Sequence, residues 1–444
     1  MLTTQLGAGR LFRSLLKVLA AGALATSASG AMADADCHVG VYRLGDGRVV
    51  DIAPSEGPTL RWRMFDGETG ALALQPNGSW ISTFGWTGRP DGRKISFSGC
   101  GAGLLNFDGM SGERIPLKVT ETSLEDHGVK LLGRLLLPPG QGRVPILVLL
   151  HGAEHDSARE FNFLQRLLPA EGVGAFVYDK RGTGGSGGQY TQDYPTLAAD
   201  AVAALKEARR LAGPRAGRLG YQGPSQGGWV APLAAKSAAV DFVIVSFGLA
   251  VSPLAEERES IEHDVRSHVP GAAGVRAAAD FADAIERVAT SNFREGFDRL
   301  ALVRQRYGRE PWFKHIGGGF ARFLLDTPDA EIRVEGPPLI NGINLNYDPM
   351  PVLRSLNVPQ LWVIGGKDRD AAPYETARRL RQLRSAGRPI TVLIYPQAEH
   401  GMTEFEMRDG ERISTRYSPG YFRMLRDFAL HGSLKNAARH SGDQ

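Results

Sequence analysis

Gly223-Pro224-Ser225-Gln226-Gly227-Gly228 sets one serine among small residues, after the short apolar stretch Arg218 to Gln222 and ahead of the helix-compatible run Gly228 to Lys236. Strand, tight turn, helix is the setting that lifts a serine clear of a sheet edge. The flanking glycines leave room for backbone to pass close by. A serine hydroxyl is a poor nucleophile until a base takes its proton, and the base needs a third group to hold its tautomer. Downstream, Ile364-Gly365-Gly366-Lys367-Asp368 and Tyr395-Pro396-Gln397-Ala398-Glu399-His400-Gly401 each close an apolar run. They offer Asp368 as the acid and His400 as the base, with Asp370 as an alternative acid two residues on. The chemistry such a set supports is nucleophilic acyl transfer on Ser225.

A glycine-rich chain produces such motifs by chance, and a second is present at Gly184-Gly185-Ser186-Gly187-Gly188. Gly182, Gly184 and Gly187 also satisfy the G-x-G-x-x-G of a dinucleotide site. They follow the strand Val173 to Asp179, but the helix they should open is delayed by Gln189 to Pro195. The stretch therefore reads as a flexible loop, and no cofactor is expected. His151 and His155 stand four apart, but Gly152 between them argues for a turn and no third ligand is evident, so no metal is expected either.

The elements that must position these residues follow a regular order. Val129 to Leu137 and Val144 to Leu150 are strands, the second running into His151-Gly152-Ala153. A helix over 158–168, the strand Val173 to Asp179, a helix over 196–211, the Ser225 strand and its helix, and the strand Asp241 to Phe247 come next. After an interruption, the strand Gln360 to Ile364, a helix over 374–383 and a last strand, Ile390 to Tyr395, complete the pattern. Apolar strands separated by helices predict a mostly parallel sheet covered on both faces. The interruption, residues 249–353, is charged and helical in pattern, with Ile261, Val265, Phe281, Ile285, Val288, Leu300 and Val303 at helical spacing. It is expected to form a helical lid, with Trp312, Phe313, Phe320 and Phe323 as candidates for a pocket wall.

The amino-terminal end carries Arg10, Arg13 and Lys17 before an apolar run from Val18 to Ala25 and the small residues Ala31-Met32-Ala33. That is the pattern of a secretory signal peptide, residues 1–33, whose apolar run is too short to span a bilayer comfortably, with a retained membrane anchor as the alternative. Cys37 and Cys100 are the only cysteines, and an exported chain with one such pair is expected to bridge them. Between them, period-two segments such as Leu60-Arg61-Trp62-Arg63-Met64 and the turn pairs Asp66-Gly67, Asn77-Gly78 and Asp91-Gly92 predict a small antiparallel β domain over 34–110. A formal net charge of +4 is too small to argue for nucleic acid.

In order, spacing and strand context, the chain from about Ile115 onward resembles the α/β-hydrolase family, close to its serine-aminopeptidase and dienelactone-hydrolase-like branches. The resemblance implies an α/β-hydrolase fold with its core at 111–248 and 354–444, the helical insertion at 249–353, and the all-β domain in front. It places the acid at Asp368, the end of a Gly-x-x-Asp turn. An oxyanion hole needs backbone N–H groups aimed at the developing charge. One should come from Gln226, and the resemblance puts the other in the His151-Gly152-Ala153 turn, at Ala153, although this turn departs from His-Gly-Gly-Gly. Two functions are compatible with all of this. One is an exported serine hydrolase acting on a small-molecule or peptide acyl substrate, with a carboxylic ester first and peptide or thioester next. The other is a non-catalytic binding protein on the same scaffold. Neither involves nucleic acid or stable membrane insertion after signal cleavage.

Overall fold

The structure, a computed structural model, describes residues 37–55, 59–75, 79–371 and 373–434. The leader at 1–33 and the Asn77-Gly78 turn lie outside the described residues.

The amino-terminal strands are β1 (Gly40–Leu44), β2 (Val49–Pro54), β3 (Leu60–Met64), β4 (Thr69–Leu74), β5 (Trp80–Thr83), β6 (Pro90–Phe97), β7 (Leu104–Phe107) and β8 (Met110–Arg114). Each pairs antiparallel with the next, and β8 returns to β1 through Tyr42 opposite Arg114 and Leu44 opposite Gly112. The expected sheet is thus a closed barrel, which removes both edges. Its interior holds Tyr42, Ile52, Trp62, Leu72, Trp80 and Phe107. Alternation in β3 predicted charged residues facing water, yet all five residues are buried. Trp62 points inward, while the guanidinium carbons of Arg61 and Arg63 lie 4.2 Å and 4.3 Å from the ring centres of Trp86 and Phe163. The cause is docking: β1 and β2 add Val41 and Val49 to the core of the second domain. Fully buried Asp51 receives Arg166 Nε at 2.5 Å and Nη2 at 3.2 Å. Such a pair fixes an interface because each ion alone would be costly there. Cys37 and Cys100 are bridged, with Cα atoms 5.4 Å apart.

The second sheet contains β9 (Lys118–Asp126), β10 (Val129–Leu137), β11 (Val144–Leu149), β12 (Gly174–Tyr178), β13 (Ala216–Pro224), β14 (Phe242–Ser246), β15 (Gln360–Gly365) and β16 (Ile390–Tyr395). Their order is β16-β15-β14-β13-β11-β12-β10-β9, parallel from β16 to β12 and antiparallel through β10 and β9. Alternate residues of β11 serve opposite faces. Ile146 and Val148 join a core with the helices Tyr194–Ala212, Gly227–Ser237 and Pro373–Ser385, and Leu147 and Leu149 join one with Leu164–Leu167 and Tyr421–His431. The α/β-hydrolase architecture expected from the resemblance is the one observed.

Three local differences have physical causes. β9 escaped the sequence reading because it is an edge strand on which only Leu124 is buried, so its pattern is polar. The helix expected over 158–168 breaks into Ala158–Phe161 and Leu164–Leu167. There Asn162 turns extended and its Oδ1 accepts the Leu164 N–H at 3.1 Å, a local bond that competes with the helix. Past β16, expected to be the last strand, a hairpin of β17 (Thr403–Arg408) and β18 (Glu411–Tyr417) turns at Asp409-Gly410, both at positive φ. It joins the two domains, since Trp86 N–H donates to Ser414 O at 2.9 Å and Tyr417 N–H to Gly67 O at 2.9 Å.

The insertion builds its own core around Ile261, Val265, Phe281, Ile285, Val288, Leu300 and Val303. Trp312 and Phe313 each lie 5.9 Å from Phe281, and Phe320 and Phe323 lie 6.5 Å and 6.4 Å from Phe293. The four aromatics proposed for a pocket wall are therefore held against the insertion's own rings.

The bridge between Cys37 and Cys100 closes a separation of 63 residues, a constraint on the unfolded chain of about 4 kcal/mol on the chain-entropy account. The purified protein, denatured without reductant, should show no free thiol, and reduction should lower its thermal midpoint. Two titratable thiols under those conditions would refute the bridge in solution.

Candidate active site

Ser225 follows β13 with φ +49°, a left-handed conformation that residues other than glycine seldom adopt. Two glycines make the turn possible. A Cβ on Gly223 would stand 2.2 Å from Gly227 O, and one on Gly228 would stand 2.8 Å from Gly248 Cα. The Ser225 N–H donates to Ser246 O at the end of β14, at 3.0 Å, tying the turn to the sheet. Gln226 then starts the helix Gly227–Ser237, where the first N–H groups of a helix have no partner within it.

The turns after β15 and β16 bring Asp368 and His400 to this point. His400 Nε2 lies 3.2 Å from Ser225 Oγ, and Nδ1 lies 3.0 Å and 3.2 Å from the two Asp368 oxygens. The Asp368 side chain is fully buried, and its Oδ1 accepts the N–H groups of Asp370 at 2.9 Å and Ala371 at 2.8 Å. Of the two candidate acids, Asp368 is the one whose carboxylate reaches His400, and Asp370 supports that carboxylate through its main-chain N–H. The His400 turn is held by buried Glu399, which accepts Ser414 Oγ of β18 at 2.8 Å while its own N–H donates to Thr403 O at 2.8 Å.

Burial works against the protonated form of His400, but the carboxylates of Asp368, Asp370 and Glu256 outweigh it and lift its pKa to about 9. Asp370 is raised by burial and by Asp368, against the pull of His400 and Arg369. Glu256, from the insertion helix Pro253–His268, is pushed well above the carboxylate range by burial and then by Glu257. Its placement beside the histidine had no signal in the sequence, because it rests on how the insertion folds back. That fold-back is fixed by charge. Arg369, between the two candidate acids, reaches Asp264 of the same helix with Nε at 3.1 Å and Nη2 at 2.8 Å, and Asp264 also accepts the Gly317 N–H at 2.7 Å.

The His151-Gly152-Ala153 turn lies beside the serine. A Cβ on Gly152 would be 3.5 Å from Ser225 Cβ. Gly152 N–H already donates to Glu154 Oε1 at 3.0 Å, which leaves Ala153 N–H and Gln226 N–H as the candidate donors. The two histidines of this segment part company. His151 is buried with Nε2 near Tyr178 O and Lys180 N, at 2.9 Å and 3.1 Å, and His155 stacks on Tyr190 at 3.6 Å.

The second serine motif sits elsewhere. Ser186 Oγ donates to Asp179 O at 2.6 Å and accepts Leu132 N–H at 2.9 Å. Gly185 N–H goes to buried Asp179 at 3.0 Å, and Gly182 N–H to Gly187 O at 2.9 Å. The loop expected to be flexible is thus laced to β10 and β12, with its N–H groups turned onto protein acceptors.

A parallel central sheet, a strained serine turn after β13, and an acid and a histidine in the loops after β15 and β16 define the α/β-hydrolase class of enzyme. Residues 147–410 match the sequence profile described as "Alpha/beta hydrolase family", and the chain belongs to that family and is a hydrolase. Similar solved structures include an acylaminoacyl peptidase of Pyrococcus horikoshii, at 13% identity and TM-score 0.41 over 85% of this chain and 55% of that one. The chain thus spans about half the length of that peptidase. An esterase of Pyrococcus furiosus aligns at 15% identity and TM-score 0.40 over 64% of this chain and 84% of its own. An esterase of Exiguobacterium antarcticum aligns at 18% identity and TM-score 0.37 over 64% and 93%. No curated protein sequence matches the chain.

Two variants separate the roles of the acids. Asp368→Asn should strand His400 in the wrong tautomer and lower kcat by something like 10⁴-fold, with little change in thermal midpoint. Asp370→Asn should keep kcat within about tenfold. A neutral His400 is required in the free enzyme, and its pKa is raised to about 9, so kcat/KM should climb as pH rises into that region. Removing the Asp370 charge takes away one stabiliser of the imidazolium and should move that limb to lower pH. An Asp370→Asn enzyme that is inactive, or whose limb stays in place, would overturn the assignment.

Proposed function

We propose that this protein is an exported serine hydrolase that cleaves a carboxylic ester through an acyl-enzyme on Ser225. The observation that carries the reading is the continuous path from Ser225 Oγ to His400 Nε2, 3.2 Å, and from His400 Nδ1 to Asp368, 3.0 Å. Ser225 Oγ attacks the carbonyl carbon as His400 Nε2 takes its proton, and Asp368 stabilises the imidazolium that forms. The N–H groups of Gln226 and Ala153 receive the carbonyl oxygen as it becomes an oxyanion. Collapse breaks the bond to the alcohol oxygen, which leaves with the proton from His400. Water, deprotonated by the same imidazole, then releases the acid and restores the serine.

Export is supported by the bridge between Cys37 and Cys100, since such bonds persist in oxidising compartments. It is supported also by the signal-like pattern of residues 1–33. The non-catalytic alternative is disfavoured by the serine's left-handed backbone, because strain of this kind, of order 1–3 kcal/mol, is retained where a mechanism uses it. Ester is preferred over amide because its carbonyl is the more electrophilic and an alcohol oxygen leaves more readily than an amine nitrogen, with aminoacyl amides and thioesters as the competing substrates.

The test compares two serines on a panel of esters, thioesters and aminoacyl amides. Ser225→Ala should abolish hydrolysis across the panel. Ser186→Ala, which removes only the bonds to Asp179 O and Leu132 N–H, should cost about 1 kcal/mol of stability and leave kcat nearly unchanged. Equal loss of activity from both, with folding intact, would sink the proposal, and preference for an amide over every ester would replace the substrate class.

A further inference from the structure

Lys180 is 2% exposed, although lysine is almost never fully buried without a partner. It follows β12 and its Nζ donates to Gly152 O at 2.9 Å. Its ammonium also lies 4.7 Å from the ring centre of Tyr190. The Tyr190 hydroxyl in turn donates to Ala153 O at 2.7 Å, and His155 closes over the other part of that ring at 3.6 Å. Two consecutive carbonyls of the turn beside Ser225 are therefore gripped from one loop, residues 180–190. Burial lowers the Lys180 pKa to about 8, opposed by the charge of Glu154, so the ammonium stays mostly charged near neutral pH.

A trans peptide is planar, and its C=O and the following N–H point in opposite directions. Whatever holds Gly152 O therefore fixes where Ala153 N–H aims, and Gly152 N–H is already committed to Glu154. We propose that Lys180 is a positioning residue, which through the Gly152 carbonyl orients the Ala153 N–H toward the oxyanion formed at Ser225, with Tyr190 bracing the next peptide. The proposal rests on the serine-hydrolase reading above. Lys180 itself touches no reacting atom. Its effect belongs to the transition state, where charge develops on the oxygen, and not to the bound ester, whose carbonyl is only weakly polarised.

The experiment measures Lys180→Met on a nitrophenyl ester, with two inhibitors alongside: a trifluoromethyl ketone, which forms an oxyanion adduct on serine, and the matching methyl ketone, which binds without one. Loss of a preorganised donor costs on the order of 10²-fold in kcat. The expected result is that loss with KM within about threefold, an equal weakening of the trifluoromethyl ketone, and an unchanged methyl ketone. Complete fluorophosphonate labelling on long incubation should show that every chain still presents its serine. A kcat within threefold of wild type, or both ketones weakened together, overturns the proposal. If Lys180→Met does not fold, Tyr190→Phe is expected to show the same split at about tenfold, and an unchanged kcat there is equally decisive against it. Wild-type protein that fluorophosphonate does not label refutes the serine reading itself, whereas labelled wild type with insensitive variants refutes only the role of Lys180.

Discussion

The left-handed backbone of Ser225 is the constraint on which the rest of the site depends. Holding a serine at φ +49° costs of order 1–3 kcal/mol, and the cost is met by packing that no side chain could replace. Gly223 lies against Gly227 O and Gly228 against Gly248 Cα, so helix and strand approach to backbone contact at the turn. The bond from Ser225 N–H to Ser246 O then ties the turn to β14. With the serine fixed, the loops after β15 and β16 need only reach the same sheet edge for Asp368 and His400 to fall in line.

Charge is the second organising quantity. Around His400 the protein assembles Asp368 and Asp370, whose charges hold the imidazole well above its usual pKa, and Glu256, which burial pushes toward its neutral form. One of the three comes from the helical insertion, and the Arg369 to Asp264 bridge ties that insertion to the acid loop. The insertion therefore reaches the surroundings of the histidine through Glu256 and is tied to the acid loop through Asp264. The barrel reaches the site by another route, through β17 and β18 to Glu399 and the histidine turn.

Much of this was legible in the sequence because motif and context coincide along the chain. The strands of the parallel sheet are continuous apolar runs, and each of the three candidate site residues lies in the turn that follows one of them. What stayed hidden depended on tertiary partners. Barrel closure is a pairing between the first and last strands, β1 and β8, and leaves no local trace. The burial of Arg61 and Arg63 comes from docking on Phe163 and from Trp86, against a strand pattern that predicts exposure. β17 and β18 carry a sequence signal at Asp409-Gly410, a dipeptide suited to a tight hairpin, but their own residues are too polar to read as an apolar strand pair. Nothing in the sequence around the glycine-rich loop marks Lys180, and only the fold brings its ammonium to the Gly152 carbonyl.

A single serine, held in a strained turn and paired with His400, is the nucleophile we propose. Intact mass after treatment of the folded protein with a fluorophosphonate, followed by peptide mapping, tests it most directly. One adduct per chain is expected, on Ser225, formed faster as pH rises toward the pKa of His400 and absent after thermal unfolding. An adduct on Ser186, adducts spread over several serines, or no adduct on folded protein would contradict it.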